Sequence, residues 1–121
     1  MLIRVLVLLS ALAMPLNALA HNIKPQHGGR MAEAGQVDIE LVVKNDVVDV
    51  YVVDHSGKPI PTAGYKGVAI LLSGGKSVRV TLEPAGGNRL TGKTTQTLAS
   101  PAKGAVLVTA PGGATSQGKF D

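Results

Sequence analysis

Polar and apolar residues alternate over residues 36–44. Val37, Ile39, Leu41 and Val43 fall on one face, Asp38 and Glu40 on the other. That period of two marks a half-buried β-strand. Asn45-Asp46 breaks the pattern, and residues 47–54 resume it as a second strand. Asn and Asp tolerate the positive φ of a tight hairpin, so these two strands are expected to pair antiparallel. Residues 54–59 are dense in turn formers, and Pro59 and Pro61 keep the next stretch extended but out of a central ladder. Residues 67–73 carry Val68, Ala69, Ile70, Leu71 and Leu72 in one run, as a buried strand would. Gly74-Gly75 then turns the chain into residues 77–83, where Val78, Val80 and Leu82 face in and Arg79, Thr81 and Glu83 face out. Shorter strands are expected at 89–92, 104–110 and 117–121, while 93–100 is polar and has no clear period.

A turn every 8 to 12 residues and no helix-period segment after residue 20 predict an all-β fold with antiparallel strands. The expected form is a small β-sandwich of six to seven strands, immunoglobulin-like in architecture, with a partly open barrel as the related solution. The cysteines and tryptophan of true immunoglobulin domains are missing from this chain, so the likeness is one of architecture alone.

Residues 1–20 have a different pattern. One positive charge, Arg4, precedes an apolar run from Val5 to Leu12, and Ala18-Leu19-Ala20 supplies an A-x-A site. This is the pattern of a cleavable secretory signal peptide, cut after Ala20 or alternatively after Ala18. The apolar run is about half the roughly 20 residues a spanning helix needs, so no stable membrane insertion is expected after cleavage. The expected organisation is a signal peptide at 1–20, an N-terminal His/Gly segment at 21–35 and the β-sandwich domain at 36–121. The expected location is the periplasm. With no cysteine, the chain has neither a lipobox nor a disulfide, and stability must come from burial of Val, Ile, Leu and Ala.

Charge narrows the function. The chain has 12 Lys+Arg against 8 Asp+Glu, and the basic residues are scattered. Tyr51, Tyr65 and Phe120 are its only aromatic residues. A nucleic-acid surface needs a basic stripe with stacking aromatics, so nucleic acid is set aside, and sugar stacking is hard to arrange for the same reason. No thiol, no Gly-x-Ser-x-Gly elbow and no His-Glu-x-x-His motif is present, so an enzyme is not expected.

The chemistry that remains is histidine. His21 and His27 precede the first strand, and His55 ends the second. Cleavage after Ala20 makes His21 the terminal residue, whose amine and imidazole can chelate one ion, a group similar to the histidine brace of secreted copper proteins. A further imidazole completes a three-nitrogen set suited to Cu(II) or another divalent transition metal. His27-Gly28-Gly29 resembles the His-Gly-Gly core of prion octarepeats, in which imidazole and backbone nitrogens hold Cu(II). The bland alternative is a glycine turn before a strand. Met31 offers a soft thioether, although a lone Met is more often core filling. Asp54 beside His55 offers a carboxylate, although the Asp54-His55-Ser56-Gly57 string also reads as a solvated turn. The candidate metal set is therefore His27, His21 and His55, with Asp54 and Met31 as weaker members.

Four phrases occur in fixed order: Pro25-Gln26-His27-Gly28-Gly29, Glu40-Leu41-Val42-Val43, Tyr51-Val52-Val53-Asp54-His55-Ser56-Gly57-Lys58-Pro59 and Leu82-Glu83-Pro84-Ala85-Gly86-Gly87-Asn88. Together they resemble a group of small periplasmic bacterial proteins, mostly of unassigned function, and related modules found with heavy-metal efflux systems. The resemblance implies a periplasmic β-sandwich linked to metal handling, copper among the candidates, with His27 and His55 as its motif residues. It also implies an envelope or metal-efflux protein as partner. The alternative is a non-catalytic protein–protein interaction module of the cell envelope with no metal role, docking through a sheet edge or loop.

Overall fold

The computed structural model describes residues 23–121. The expected signal peptide and His21 lie outside the described residues. Eight antiparallel strands follow in chain order: β1 (Arg30–Ala34), β2 (Val37–Lys44), β3 (Val47–Val53), β4 (Lys66–Ser73), β5 (Lys76–Pro84), β6 (Arg89–Lys93), β7 (Gly104–Thr109) and β8 (Thr115–Phe120). They form one sheet in the order β1-β2-β3-β6-β5-β4-β7-β8. The sheet curls until its two edge strands, β1 and β8, lie alongside each other. The result is all-β and antiparallel, as the alternation predicts, and nearly a barrel.

Tight turns set the register. Lys44 pairs with Val47 across Asn45-Asp46, and Asn45 takes the positive φ (54°) that this two-residue turn requires. Ser73 pairs with Lys76 across Gly74-Gly75 in the same way.

Once register is fixed, alternate residues go inside. Ile39 and Leu41 from β2, Val48, Val50 and Val52 from β3, Ala69 and Leu71 from β4, Val80 and Leu82 from β5, Leu90, Val106, Val108 and Phe120 make one core. Each large aliphatic side chain fully buried there contributes about 1.5–3 kcal/mol of transfer free energy. At the seam, β8 presents Gly118 to the core. A Cβ at that position would lie 2.7 Å from Ile39 Cδ1, so glycine is what lets β8 lie this close. Arg30 closes the end of the seam by donating to the carbonyls of Ala102 and Asp121, its guanidinium 5.9 Å from the Phe120 ring centre.

Three features differ from the sequence pattern. There are eight strands, not six or seven, because residues 30–34, placed in the N-terminal segment by sequence, form β1. That strand is short and Ala-rich, and its pairing with β2 rather than its own alternation makes it a strand. The apolar run on β4 is not buried throughout: Leu72 is 39% exposed, while Val68 and Ile70 are half-buried on the outer face. Finally, Asp38 and Glu40 do point away from the core, yet they are only 4% and 3% exposed. Other parts of the chain cover them, and that cover builds the candidate site. Residues 94–103 form no strand. Their backbone instead ties the β2–β3 turn to β4, Thr94 donating to the Asp46 carbonyl and Ala99 to the Leu72 carbonyl.

Candidate functional site

Glu40 sits mid-strand on β2, opposite Met31 of β1 and Tyr51 of β3. Across its outward carboxylate runs the segment before β1. The carboxylate accepts the backbone N–H groups of Gln26 (3.1 Å), His27 (2.8 Å) and Gly29 (2.9 Å), and it meets the Nδ1 of His27 at 2.9 Å. One buried anion thus organises residues 26–29 into a strap. Glycine is required at position 29, where a Cβ would lie 2.3 Å from the Leu41 carbonyl oxygen and 2.8 Å from Val42 Cγ2. Burial pushes the Glu40 carboxyl up, but the His27 side chain and the N–H groups of Gly29, His27 and Gln26 outweigh it. The net position is below the ordinary carboxylate value.

The His27 ring is fixed in two ways. Its Nδ1 is tied to Glu40, and its face stacks on Tyr51 with ring centres 3.6 Å apart and planes 6° from parallel. With Nδ1–H donated to a carboxylate, the neutral ring carries its lone pair on Nε2, the tautomer in which histidine ligates metals. Nε2 has no partner among the described residues, and the side chain is 41% exposed. The ring borders a cleft of about 710 Å³ that also touches Met31, Lys24, Tyr51, Ser56 and Asn88.

Two residues along β2, about 7 Å away at strand spacing, a second pair repeats the device. His55 Nδ1 meets Asp38 Oδ2 at 3.0 Å. The Asp38 hydrogen bond raises the His55 pKa, opposed by partial burial and helped by the Asp38 and Glu33 charges and a hydrogen bond with the Gly35 backbone. Asp54 is engaged within its own turn, accepting from Ser56 N, Ser56 Oγ and Lys58 N at 2.8–2.9 Å. The Ser56 hydroxyl and Lys58 N–H hold its carboxyl below the ordinary value.

The structure therefore brings His27 and Met31 to one cleft and places His55 on a neighbouring carboxylate with a clamp of its own. Asp54 shapes the loop that carries His55. His21, six residues ahead of His27, is outside the described residues. Within His27-Gly28-Gly29, the candidate octarepeat-like Cu(II) segment, the backbone N–H groups of His27 and Gly29 are donated to Glu40. Among the described residues no group of three or more His, Asp or Glu side chains gathers around one point that could hold a metal ion.

Asp38, Glu40 and Tyr51 organise the site, yet alternation alone marks them as solvated. Their available signal is the placement of two acids at i and i+2 in the middle of a strand rich in Val, Leu and Ile. Acids in such a strand are rarely buried unless paired, and His27 and His55 are the partners. Searches of protein-family models, curated proteins and solved structures find no match to this chain.

Proposed function

We propose that this chain is an exported, non-catalytic accessory protein of the periplasm that binds a divalent transition metal, Cu(II) foremost, through His27 and His21. One observation carries this reading: a buried carboxylate fixes the His27 ring by Nδ1, leaving Nε2 on an exposed side chain with no partner among the described residues. Carboxylate-oriented imidazole is the usual support for a metal-bound histidine, because it sets tautomer and direction before the ion arrives.

The donor chemistry fits in part. His27 gives one nitrogen and Met31 borders the same cleft, and His21, in the segment before residue 23, is the further histidine offered to this site. Six residues of extended chain reach about 20 Å, enough for His21 to fold back onto His27. Location in the periplasm rests on the pattern of residues 1–20, and a role beside metal efflux on the resemblance of the His27 and His55 phrases.

The test is calorimetric titration of the processed chain, starting at His21, with Cu(II) and with Zn(II). It runs beside His27→Ala and a chain starting at Asn22. Saturable binding that weakens about ten-fold or more in both variants is expected. Binding no stronger than that of an unrelated protein with few histidines would overturn the proposal.

A second reading, an envelope interaction module, is favoured by a different feature: the apolar strip left on the outer face of β4, with Leu72 39% exposed.

A further inference from the structure

The outer face of the β5-β4-β7-β8 half of the sheet has a definite composition, set by register. Ile70 of β4 lies between Arg79 of β5 and Ala105 of β7, and Lys119 of β8 flanks Ala105. One row across four strands therefore reads cation, Ile, Ala, cation. The next row holds Val68 and Leu107 at its centre, between Thr81 and Gln117. Lys66 stands at one end of the strip and Leu72 at the other. A shallow groove of about 310 Å³ runs here, bordered by Lys66, Val68, Ile70, Arg79 and Leu107.

Charge on this face is one-sided. Lys66, Arg79 and Lys119 are exposed, and none has an ion-pair partner among the described residues. Glu83, at the far end of β5, is the single acid among the described residues of these strands that faces outward. On the opposite half of the barrel Asp38, Glu40 and Asp49 are each engaged by a histidine, arginine or threonine, and Glu33, Lys44 and Lys93 are exposed beside them. Three exposed cations thus border the half-exposed aliphatic side chains of this face.

We infer that this face, centred on Val68, Ile70 and Leu107 and flanked by Arg79, Lys119 and Lys66, docks an acidic, extended protein segment. The segment's aliphatic residues would cover the strip while its carboxylates meet the flanking cations. Complementarity selects the occupant. A second copy of this basic chain docking through the same face would set like charges together. A membrane surface is a poorer match, because the face has no aromatic anchor and its aliphatic groups lie flat in the sheet. The strip is about two strands wide and runs along β4, the footprint of one extended chain. The inference rests on the interaction reading and is independent of His27.

The probe is a synthetic peptide of alternating glutamate and valine, as long as β4 (8 residues), with a lysine–valine peptide as control. Binding is read from amide ¹H–¹⁵N shifts of the labelled, processed protein. The expected result is saturable shifts confined to β4, β7 and the facing residues of β5 and β8 below about 1 mM peptide. They should weaken as salt rises, because exposed charge pairs are screened. Arg79→Glu with Lys119→Glu, both exposed positions that leave the core intact, should weaken binding about ten-fold or more, while Lys93→Glu on β6 should not.

Absent shifts, shifts elsewhere, or equal binding of the lysine peptide would overturn the inference. So would phosphatidylglycerol vesicles perturbing the same amides when the glutamate peptide does not, or concentration-dependent shifts of the protein alone at this face. An envelope protein retained in excess chelator by the wild type and equally by the double variant would uphold an interaction role while removing this surface from it.

Discussion

Replacing Glu40 by alanine tests how the site is built. Glu40 is 3% exposed, and its carboxylate accepts three backbone N–H groups and meets the His27 ring. Hydrogen bonds to a charged group contribute about 1.5–3 kcal/mol each when the partners stay buried. Here the strap lies at the surface, so its N–H groups recover water once released, and the variant also sheds the cost of burying an anion. Taking one such bond at full value and the other three at a few tenths each gives a loss of about 2–3 kcal/mol. For a domain near 100 residues that lowers Tm by about 10–15 °C. Urea unfolding gives the free energy, and amide exchange at Gln26, His27 and Gly29 gives the local effect. Glu83→Ala, at an exposed position on β5, should stay within about 0.5 kcal/mol of wild type. If Glu40→Ala matched it, and the three amides exchanged as in wild type, the carboxylate would not be what holds the strap.

Other predictions follow from single contacts. Thr62 is fully buried and its Oγ1 donates to the Arg89 carbonyl at 2.8 Å, so Thr62→Val should cost about 1–2 kcal/mol in chemical unfolding. At Gly118, valine must displace Ile39 across the seam. That variant should lose about 2 kcal/mol or more and expose the β1 and β8 edges to amide exchange. The His55 pKa is raised in the folded protein, so its clamp on Asp38 contributes fully below about pH 6.5 and fades as pH rises through the folded value. The stability gap between wild type and His55→Gln should therefore narrow from pH 6 toward alkaline pH, and a widening gap would refute the assignment. Glu40 has the opposite sign. Its carboxyl is lowered, so its contribution is present above about pH 4.5 and is lost as pH falls through the folded value.

The fold was legible in the sequence wherever alternation and turn chemistry agreed. Residues 36–44 and 47–54, joined by Asn45-Asp46, become β2 and β3, and the inward face of β5 is the one that Val80 and Leu82 mark. Local pattern could not reveal β1, because Ala32 and Ala34 are small and the strand exists through its ladder with β2. It also misplaced Leu72, since an apolar run does not say which face will be covered. The site was half legible. Histidine chemistry singled out His27 and His55, but their partners Glu40 and Asp38 lie 13 and 17 residues away in sequence. Alternation assigns those acids to the outer face correctly. What it cannot foresee is that the strap and the His55 loop fold back over that face.

The most direct test of the metal account is a long-range ¹H–¹⁵N spectrum of the histidine rings, recorded on the processed protein as Zn(II) is added. His27 Nε2 should shift first and saturate while its Nδ1 remains bonded to Glu40, with the His55 ring unmoved. A His27 ring that does not respond at saturating metal, or a His55 ring that responds in its place, would contradict it.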